Sequence, residues 1–191
     1  MAELTDIDKP AGVDPQTYRD VLGRFVTGVT VVTTLESKAD AGEPQPWGTT
    51  VNSFIAVSLE PPLVLVSIGR ERSIHPIIAR TGRFAINILG ENSEAISDCF
   101  AGAPSALPRE AFCNAAYALG ECGLPVLDEA IAFVGCEVER VIEAGDHTLY
   151  VSRVVEAGTR DDPGWPLLFF RRRYLRIERA ATAEIRGKAE R

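Results

Sequence analysis

The sequence lacks the motifs that mark many soluble enzymes. Its 191 residues contain no GxGxxG fingerprint, no GxxxxGK phosphate loop, no HExxH zinc helix and no Ser/His/Asp triad signature. The cysteines match no CxxC zinc pattern and no dense disulfide framework. We interpret them as small buried or half-buried side chains, with a metal or redox role as the alternative. They are Cys99, Cys113, Cys122 and Cys136.

Positive charge and long apolar runs are also scarce. The net charge of −7 gives no long-range attraction for nucleic acid or an anionic membrane, so we expect neither as a partner. A phosphate-bearing ligand would need local cations or backbone N–H groups. No stretch approaches the roughly 18 apolar residues of a membrane span, and the N-terminus has no secretory pattern. We therefore expect a soluble, cytoplasmic protein.

The composition fits one globular domain, with 46% apolar and 25% charged residues. We predict a flexible arm over residues 1–14, one domain over residues 15–179 and a charged tail over residues 180–191. Asp14 and Pro15 resemble a helix start, and the helix should end between Gly23 and Thr27. The β-branched run from Gly28 to Leu35 predicts the first strand, which a hairpin-length connection joins to the next.

The stretch from Trp47 to Ser67 is the centre of the prediction. Its odd positions up to Leu59 carry bulky side chains and its even positions mostly small or polar ones, which predicts one strand with a core face and a polar face. After a turn at Glu60 to Pro62, the apolar run Leu63–Ile68 predicts a strand covered on both sides.

The remaining pattern alternates short helices with strands. Two helices are predicted over Ser73–Thr81 and Ser93–Phe100, the second with Ala95, Ile96 and Cys99 facing inward. Residues 101–125 are predicted to be mostly irregular. Further strands are predicted over 84–89, 130–144, 147–156, 167–170 and 174–177, the last pair closing the sheet. The fold class is mainly β, and we expect an antiparallel closed barrel with helical inserts.

Three short segments could carry chemistry. Gly48–Ser53 has the small side chains, hydroxyls and amide that a planar, hydrogen-bonding ring needs, although a solvated strand face explains the same residues. Gly69–Ser73 could hold a phosphate, with Ser73 capping a helix and Arg70 or Arg72 supplying charge; an ordinary cap with solvated arginines is the alternative.

The third segment is Gly145-Asp146-His147, a turn that opens a strand. It could place His147 in a cleft, although a turn alone also explains Gly-Asp. His75 could equally be a capping or packing residue. The three arginines at 171–173 are interpreted as solvated or dimer-facing.

Together these segments resemble the short-chain flavin reductase family. The similarity runs through RFVTGVTVVTT, WGTTVNSFIAVSLEPPLVLVSI, SIHPIIARTGRFAINIL, the FAG at Phe100 to Gly102, GDHTLYV and PLLFFRRRY. It implies a Greek-key-like, FMN-binding split β-barrel and a homodimer with flavin near its interface. It also implies hydride transfer from NADH or NADPH to FMN or FAD, with reduced flavin passed to a partner monooxygenase. A flavoprotein that keeps its flavin and a non-catalytic flavin-binding protein are the alternatives.

The resemblance also assigns residues. The segment matching Gly48–Ser53 contacts the isoalloxazine ring, the turn matching Ser67–Ser73 holds ribityl and phosphate groups, and His147 lies by the nicotinamide. Arg153 and Arg172 stand where many relatives have glycine, and Ser93 where many have glutamine. His147 is the predicted catalytic residue. The predicted cofactor-binding residues are Gly48, Thr49, Thr50, Val51, Asn52, Ser53, Ser67, Ile68, Gly69, Arg70, Arg72, Ser73, Phe100, Gly145, Asp146 and Tyr174.

Overall fold

The computed structural model describes residues 12–37, 43–105, 107, 112–161 and 164–178. Most of the predicted arm, and all of the predicted tail, lie outside these residues. Within them are three α-helices: α1 (Pro15–Leu22), α2 (His75–Thr81) and α3 (Glu94–Ala101). No described helix is both long and apolar enough to span a bilayer.

Twelve strands are assigned within the described residues, and the mainly β, antiparallel prediction is confirmed. They are β1 (Thr27–Gly28), β2 (Thr30–Glu36), β3 (Gln45–Val51), β4 (Ile55–Ser58), β5 (Leu63–Gly69), β6 (Arg83–Leu89), β7 (Tyr117–Leu119), β8 (Pro125–Leu127), β9 (Ala130–Ala144), β10 (His147–Thr159), β11 (Leu168–Phe170) and β12 (Arg173–Leu175).

The main sheet has seven strands in the order β3-β2-β6-β9-β10-β5-β4. Its two edge strands, β3 and β4, are consecutive in the chain. The closed barrel expected from the strand pattern is not formed, because no ladder joins these two edges among the described residues. The hydrogen-bonded order is therefore linear, and the sheet is open between its two edge strands. Residues 52–54 form the short link that joins β3 to β4.

The single strand predicted between Trp47 and Leu59 is wrong. Residues 52–54 interrupt it, and its two halves lie on opposite edges of the sheet. The expected core face fails beyond the interruption, where Ile55 is 57% exposed and Leu59 is 85% exposed. In β5, alternate residues such as Val66 are buried while Leu65 is half-buried, so only one face is fully covered.

Other differences concern the ends of the chain and the region around residues 101–125. The predicted first strand divides at Val29, which leaves β1 to pair with β11 in a separate three-stranded sheet that includes β12. The last pair therefore does not close the main sheet. β7 and β8 form a hairpin in a region predicted to be mostly irregular, and Ala95 is exposed rather than inward-facing.

The helix predictions are otherwise close to the structure. Asp14 caps α1 by accepting a hydrogen bond from the Thr17 N–H at 2.8 Å. Gly82 ends α2 in the left-handed conformation. The expected Ser73 cap is wrong, because α2 starts after Ile74, whose carbonyl accepts the first helical hydrogen bonds. Ile74, which is buried in the core, is the cap residue, so the helix starts one residue later than a Ser73 cap would place it.

Two core clusters support the opening in the sheet. One lies under α2 and inside the main sheet, and it includes Val66, Ile78, Phe84 and Tyr150. The other packs α3 against Val29, Leu89 and Leu167. The opening between β3 and β5 lies beside both clusters, because Trp47 and Val51 pack against the first, while Phe100 belongs to the second.

Candidate functional site

The candidate site lies where the main sheet is left open. Among the strands that the structure describes, β3 pairs only with β2, and β4 covers β5 only as far as Leu65. The end of β5 therefore faces the free edge of β3. Backbone N–H and C=O groups at such edges can bind a ligand wherever neither a strand nor a side chain pairs with them.

A cavity of about 220 Å³ occupies this opening. Nine of its lining residues belong to the predicted cofactor-binding set, and the tenth is His147: Thr49, Thr50, Val51, Asn52, Ser53, Ser67, Ile68, Gly69, Arg72 and His147. The structure thus brings together the end of β3, the end of β5 and, from much later in the chain, the start of β10.

Hydrogen bonds fix the polar wall of this cavity. The Thr50 hydroxyl donates to the Ser97 carbonyl of α3 at 2.6 Å. The Ser53 hydroxyl donates to the Ser67 carbonyl at 2.9 Å and accepts from the Ser67 N–H at 3.2 Å. Ser53 therefore extends the pairing of β4 with β5. The sequence analysis predicted a contact with a ring for Ser53 but not this structural role.

A second cavity, of about 320 Å³, shares Thr50, Val51, Asn52 and Arg72 with the first. Tyr174 lines it from β12. Its hydroxyl lies 2.6 Å from Asp98 Oδ1, to which it donates, and 2.9 Å from Ser97 Oγ. Burial and the Asp98 hydrogen bond raise the pKa of Tyr174 to about 12, so the phenol stays protonated at neutral pH.

A third cavity, of about 710 Å³, lies on the other side of His147. It shares only Ser67 and His147 with the first cavity. Its remaining lining comes from the β9–β10 hairpin around the turn, from Val13 and from α1, including Tyr18 and Arg19. His147 Nδ1 lies 2.7 Å from Asp146 Oδ1, and this hydrogen bond lowers the pKa of Asp146. The side chain of His147 is about half exposed, at the junction of the two cavities.

The remaining predicted site residues lie nearby in different roles. Arg70 donates to the Gly145 carbonyl, so it holds the β9–β10 turn rather than lining the first cavity. Gly145 has a φ of +62°, which a turn of this kind requires. Gly48, Ser73 and Phe100 line a fourth cavity, of about 380 Å³, which also shares Thr49 and Arg72.

Arg72 is the cation common to three of these cavities. Its Nη1 donates to the Ala101 carbonyl at 2.9 Å, and its Nε lies 3.5 Å from a Glu71 carboxylate oxygen. These contacts orient a guanidinium that is still 45% exposed. The guanidinium is therefore held at the rim of the cleft and still has surface exposed to a ligand.

Gly48 shows how closely the walls approach one another. A Cβ atom added there would lie 2.5 Å from Cε1 of Phe100, so the aromatic ring packs directly on the backbone of β3. Only glycine permits this contact without a shift of the ring. The second histidine has a structural role: His75 Nε2, at the start of α2, lies 2.9 Å from Thr148 Oγ1 of β10.

The sequence interpretation missed several residues at the site. Ser97, Phe169 and Val29 line the 320 Å³ cavity, and Tyr18 and Arg19 line the 710 Å³ cavity. Cys99 and Cys113 form a disulfide, which the spacing of the cysteines did not predict. Ser97 could have been found from its place on the helix that carries the FAG segment, whereas the α1 residues had no local signal. Among the described residues, no three His, Cys, Asp or Glu side chains are grouped to hold a metal ion.

The comparisons with known proteins fit this geometry. A family model described as "Flavin reductase like domain" matches residues 22–178. The chain belongs to the flavin reductase like family. It is 37% identical over 169 residues to the NADH-dependent flavin reductase StyB of Pseudomonas fluorescens, covering 87% of this chain and 92% of that one.

Two solved structures of flavin reductases share the fold. The flavin reductase PheA2 in its native state is 34% identical, with a TM-score of 0.75, over 87% of this chain and 99% of that one. The styrene monooxygenase flavin reductase SMOB of Pseudomonas putida S12 is 36% identical, with a TM-score of 0.71, over 83% and 96%.

Proposed function

We propose that the protein is an NADH-dependent flavin reductase that acts on FMN or FAD. One observation carries the proposal: the 220 Å³ and 710 Å³ cavities meet at Ser67 and His147. A reaction between two large planar ligands needs two adjoining binding places with a shared boundary, because their reacting rings must stack within about 3–3.5 Å.

The 220 Å³ cavity suits the flavin ring. Its walls are the outer edge of β3 and the part of β5 beyond Leu65, so backbone groups and small side chains lie on both sides of it. Hydrogen bonds from Thr50 to α3 and from Ser53 to β5 keep the two walls in place. A rigid slot with polar edges is the kind of site that orients a heteroaromatic ring.

Arg72 and Ser73 are proposed to bind the flavin phosphate. In a chain of net charge −7, a phosphate needs a local cation, and the Arg72 guanidinium is held at the rim by Ala101 and Glu71. Because α2 starts after Ile74, the phosphate contact is assigned to the arginine and the exposed serine rather than to a capped helix.

His147 is proposed to position the nicotinamide. A flavin held in this cleft would supply the electron-accepting chemistry for a hydride from the reduced nicotinamide. The protein then needs no nucleophile of its own, and its residues bind and orient the two ligands and exclude water. The hydrogen bond to Asp146 fixes one ring nitrogen of His147, which leaves the other edge of the ring to contact the ligand.

We also propose that the protein is a cytoplasmic homodimer that passes reduced flavin to a partner oxygenase. No residue of α1 is buried, although its sequence is amphipathic, and Tyr18, Val21 and Leu22 are each more than half exposed. So short a helix with no buried side chain is marginal in water, so a covering surface is expected. A second copy on α1 would complete the wall of the cavity beyond His147, which Tyr18 and Arg19 line.

The proposal for His147 is tested with the His147→Ala variant. We expect its KM for NADH to rise about tenfold or more, because a positioning contact is lost, while the Kd for FMN changes less than twofold. Steady-state kinetics with NADH and quenching of FMN fluorescence measure the two quantities separately. Unchanged kinetics with NADH would remove His147 from the site.

A further inference from the structure

The disulfide between Cys99 and Cys113 has no part in the chemistry proposed above. It joins the last turn of α3 to a turn at residues 112–114, with the two Cα atoms 6.1 Å apart. Both cysteines are only 3% exposed and belong to the core cluster beside the cleft. Disulfides in most cytoplasmic proteins are transient and have catalytic or redox-sensing roles. A cystine here therefore calls for a function other than permanent support.

One end of the disulfide lies in a turn whose backbone conformation is energetically disfavoured. Phe112, Cys113 and Asn114 have φ values of +58°, +57° and +50°. Three successive residues with side chains in the left-handed region are disfavoured, because Cβ approaches the following carbonyl oxygen. Such a conformation persists only where the surrounding structure restrains it. The cross-link acts at the central residue of the three.

A short chain of contacts connects the disulfide to the cleft. Phe100 follows Cys99 and Phe112 precedes Cys113, and the two rings lie 5.0 Å apart in an edge-on arrangement. Phe100 packs on the backbone of Gly48, in the strand that forms one cleft wall. Shortly before Cys99 in α3, the Ser97 carbonyl accepts the Thr50 hydrogen bond. The cross-link therefore braces two points of β3.

The disulfide, although buried, also lies at the wall of a cavity. Cys99 and Cys113 both line the 380 Å³ cavity, whose walls include Thr49 and Arg72 of the candidate flavin site. The other two cysteines differ from this pair. Cys122 is half-buried and Cys136 buried, and burial raises the pKa of both thiols, so neither is an activated nucleophile.

We propose that Cys99–Cys113 is a thiol–disulfide exchange site at which a cellular dithiol sets the flavin affinity of the cleft. One thiolate of the dithiol attacks a cystine sulfur and forms a mixed disulfide, and its second thiol then displaces the protein sulfur. Two electrons pass to the protein, which ends with two thiols, while the dithiol becomes a disulfide. Once the bond is broken, the left-handed turn relaxes and Phe100 and Ser97 lose their brace.

This inference rests on the proposed function, and its test is a titration of FMN affinity against redox poise. The wild-type protein is equilibrated in buffers with graded ratios of reduced to oxidised dithiothreitol, and the Kd for FMN is measured by fluorescence quenching in the dark. We expect about tenfold weaker binding in the reduced protein, within the usual range of coupling between two sites. The change should follow the loss of the disulfide, counted by maleimide labelling and intact mass.

Two variants complete the test. Cys99→Ser/Cys113→Ser should bind FMN weakly in every buffer, and Cys122→Ser should respond as the wild type does. Maleimide labelling of all four cysteines, in protein purified and denatured without a reductant, would overturn the inference. Equal FMN affinity in the two redox states would also overturn it. If the double variant does not fold, the wild-type titration alone decides.

Failure of the proposed function gives a different result. Oxidised wild-type protein would then neither bind FMN nor oxidise NADH when flavin is added. Normal binding and turnover in both redox states would instead remove only the redox site.

Discussion

At the scale of single residues, Gly48 is the position where added volume has the clearest consequence. A methyl group there would lie 2.5 Å from Phe100, whereas one added at Gly28 in β1 would meet no atom of the described residues within 4 Å. We expect Gly48→Ala to lower the free energy of unfolding by about 1–3 kcal/mol, because Phe100 must shift, and to weaken FMN binding. Denaturant unfolding and FMN fluorescence measure both effects. Gly28→Ala is the matched control, and equal effects of the two substitutions would contradict the assignment.

Tyr174 gives a prediction that depends on pH. Its pKa is about 12 in the folded protein and about 10 in the unfolded chain, so the unfolded chain loses its proton first. The stability that Tyr174 contributes is fully present below pH 10 and is lost as the pH rises from 10 towards 12. We expect Tyr174→Phe to lower the free energy of unfolding by about 0.5–1.5 kcal/mol at pH 7.

The measurement is the difference in unfolding free energy between wild type and Tyr174→Phe from pH 8 to the highest pH at which both remain folded. The difference should shrink above pH 10. A difference that is constant with pH would show that the phenol proton has no part in the stability of this wall.

At this scale the sequence predicted which residues meet, but not what each side chain does. The nine predicted cofactor-binding residues that line the 220 Å³ cavity were all expected to lie together with His147. Ser53 and Arg70 nevertheless bond to the protein, at Ser67 and Gly145. Residue type and spacing do not fix the direction of a side chain when two hydrogen-bonding partners are within its reach.

At the scale of elements, the β11–β12 turn carries strain that can be relieved. Arg171 and Arg172 have φ values of +50° and +62°, which suit a two-residue hairpin turn but favour glycine or asparagine. We expect Arg172→Gly to raise the free energy of unfolding by about 0.5–1 kcal/mol, because glycine adopts this conformation without a Cβ clash. Thermal unfolding measures the change.

Arg173→Gly is the matched control for this turn. Arg173 lies in β12 and does not have a positive φ, so glycine there should lower stability by a similar amount. The assignment of the turn fails if both substitutions lower the melting temperature.

The elements that were predicted well are those with strong local signals. Asp14-Pro15 and Gly82 mark the ends of helices, and the long alternation over β9 and β10 marks a hairpin. The interruption at residues 52–54 was missed because apolar alternation continues across it, although Ile55 and Val57 are exposed. The β7–β8 hairpin was missed because its strands have three residues each, too few for a periodic pattern.

At the scale of the whole molecule, the exposed face of α1 predicts self-association. We expect Val21→Glu to weaken the proposed homodimer by about tenfold or more, because a two-fold interface would bury the new charge twice. Gln16→Glu adds the same charge to the same helix at a polar position and should leave the dimer intact. Sedimentation velocity over a range of concentrations distinguishes the variants. A wild-type protein that sediments as a monomer throughout would contradict the proposal.

The mainly β class could be predicted from the sequence, but the opening in the main sheet could not be predicted from periodicity. Alternation shows which residues face a core, whereas strand order depends on contacts between distant segments. β3 and β4 are neighbours in the chain and lie on opposite edges. The cleft lies where those edges do not pair among the described residues, and local patterns carry no information about that pairing.

The central claim is that the cleft transfers hydride from NADH to flavin. The most direct measurement is the rate of NADH oxidation by the purified protein as free FMN or FAD is added. We expect the rate to rise with flavin concentration and to saturate. The double variant Arg72→Ala/Ser73→Ala should lower the rate with FMN, because it weakens FMN binding more than riboflavin binding. No flavin-dependent oxidation of NADH with either flavin would contradict the claim.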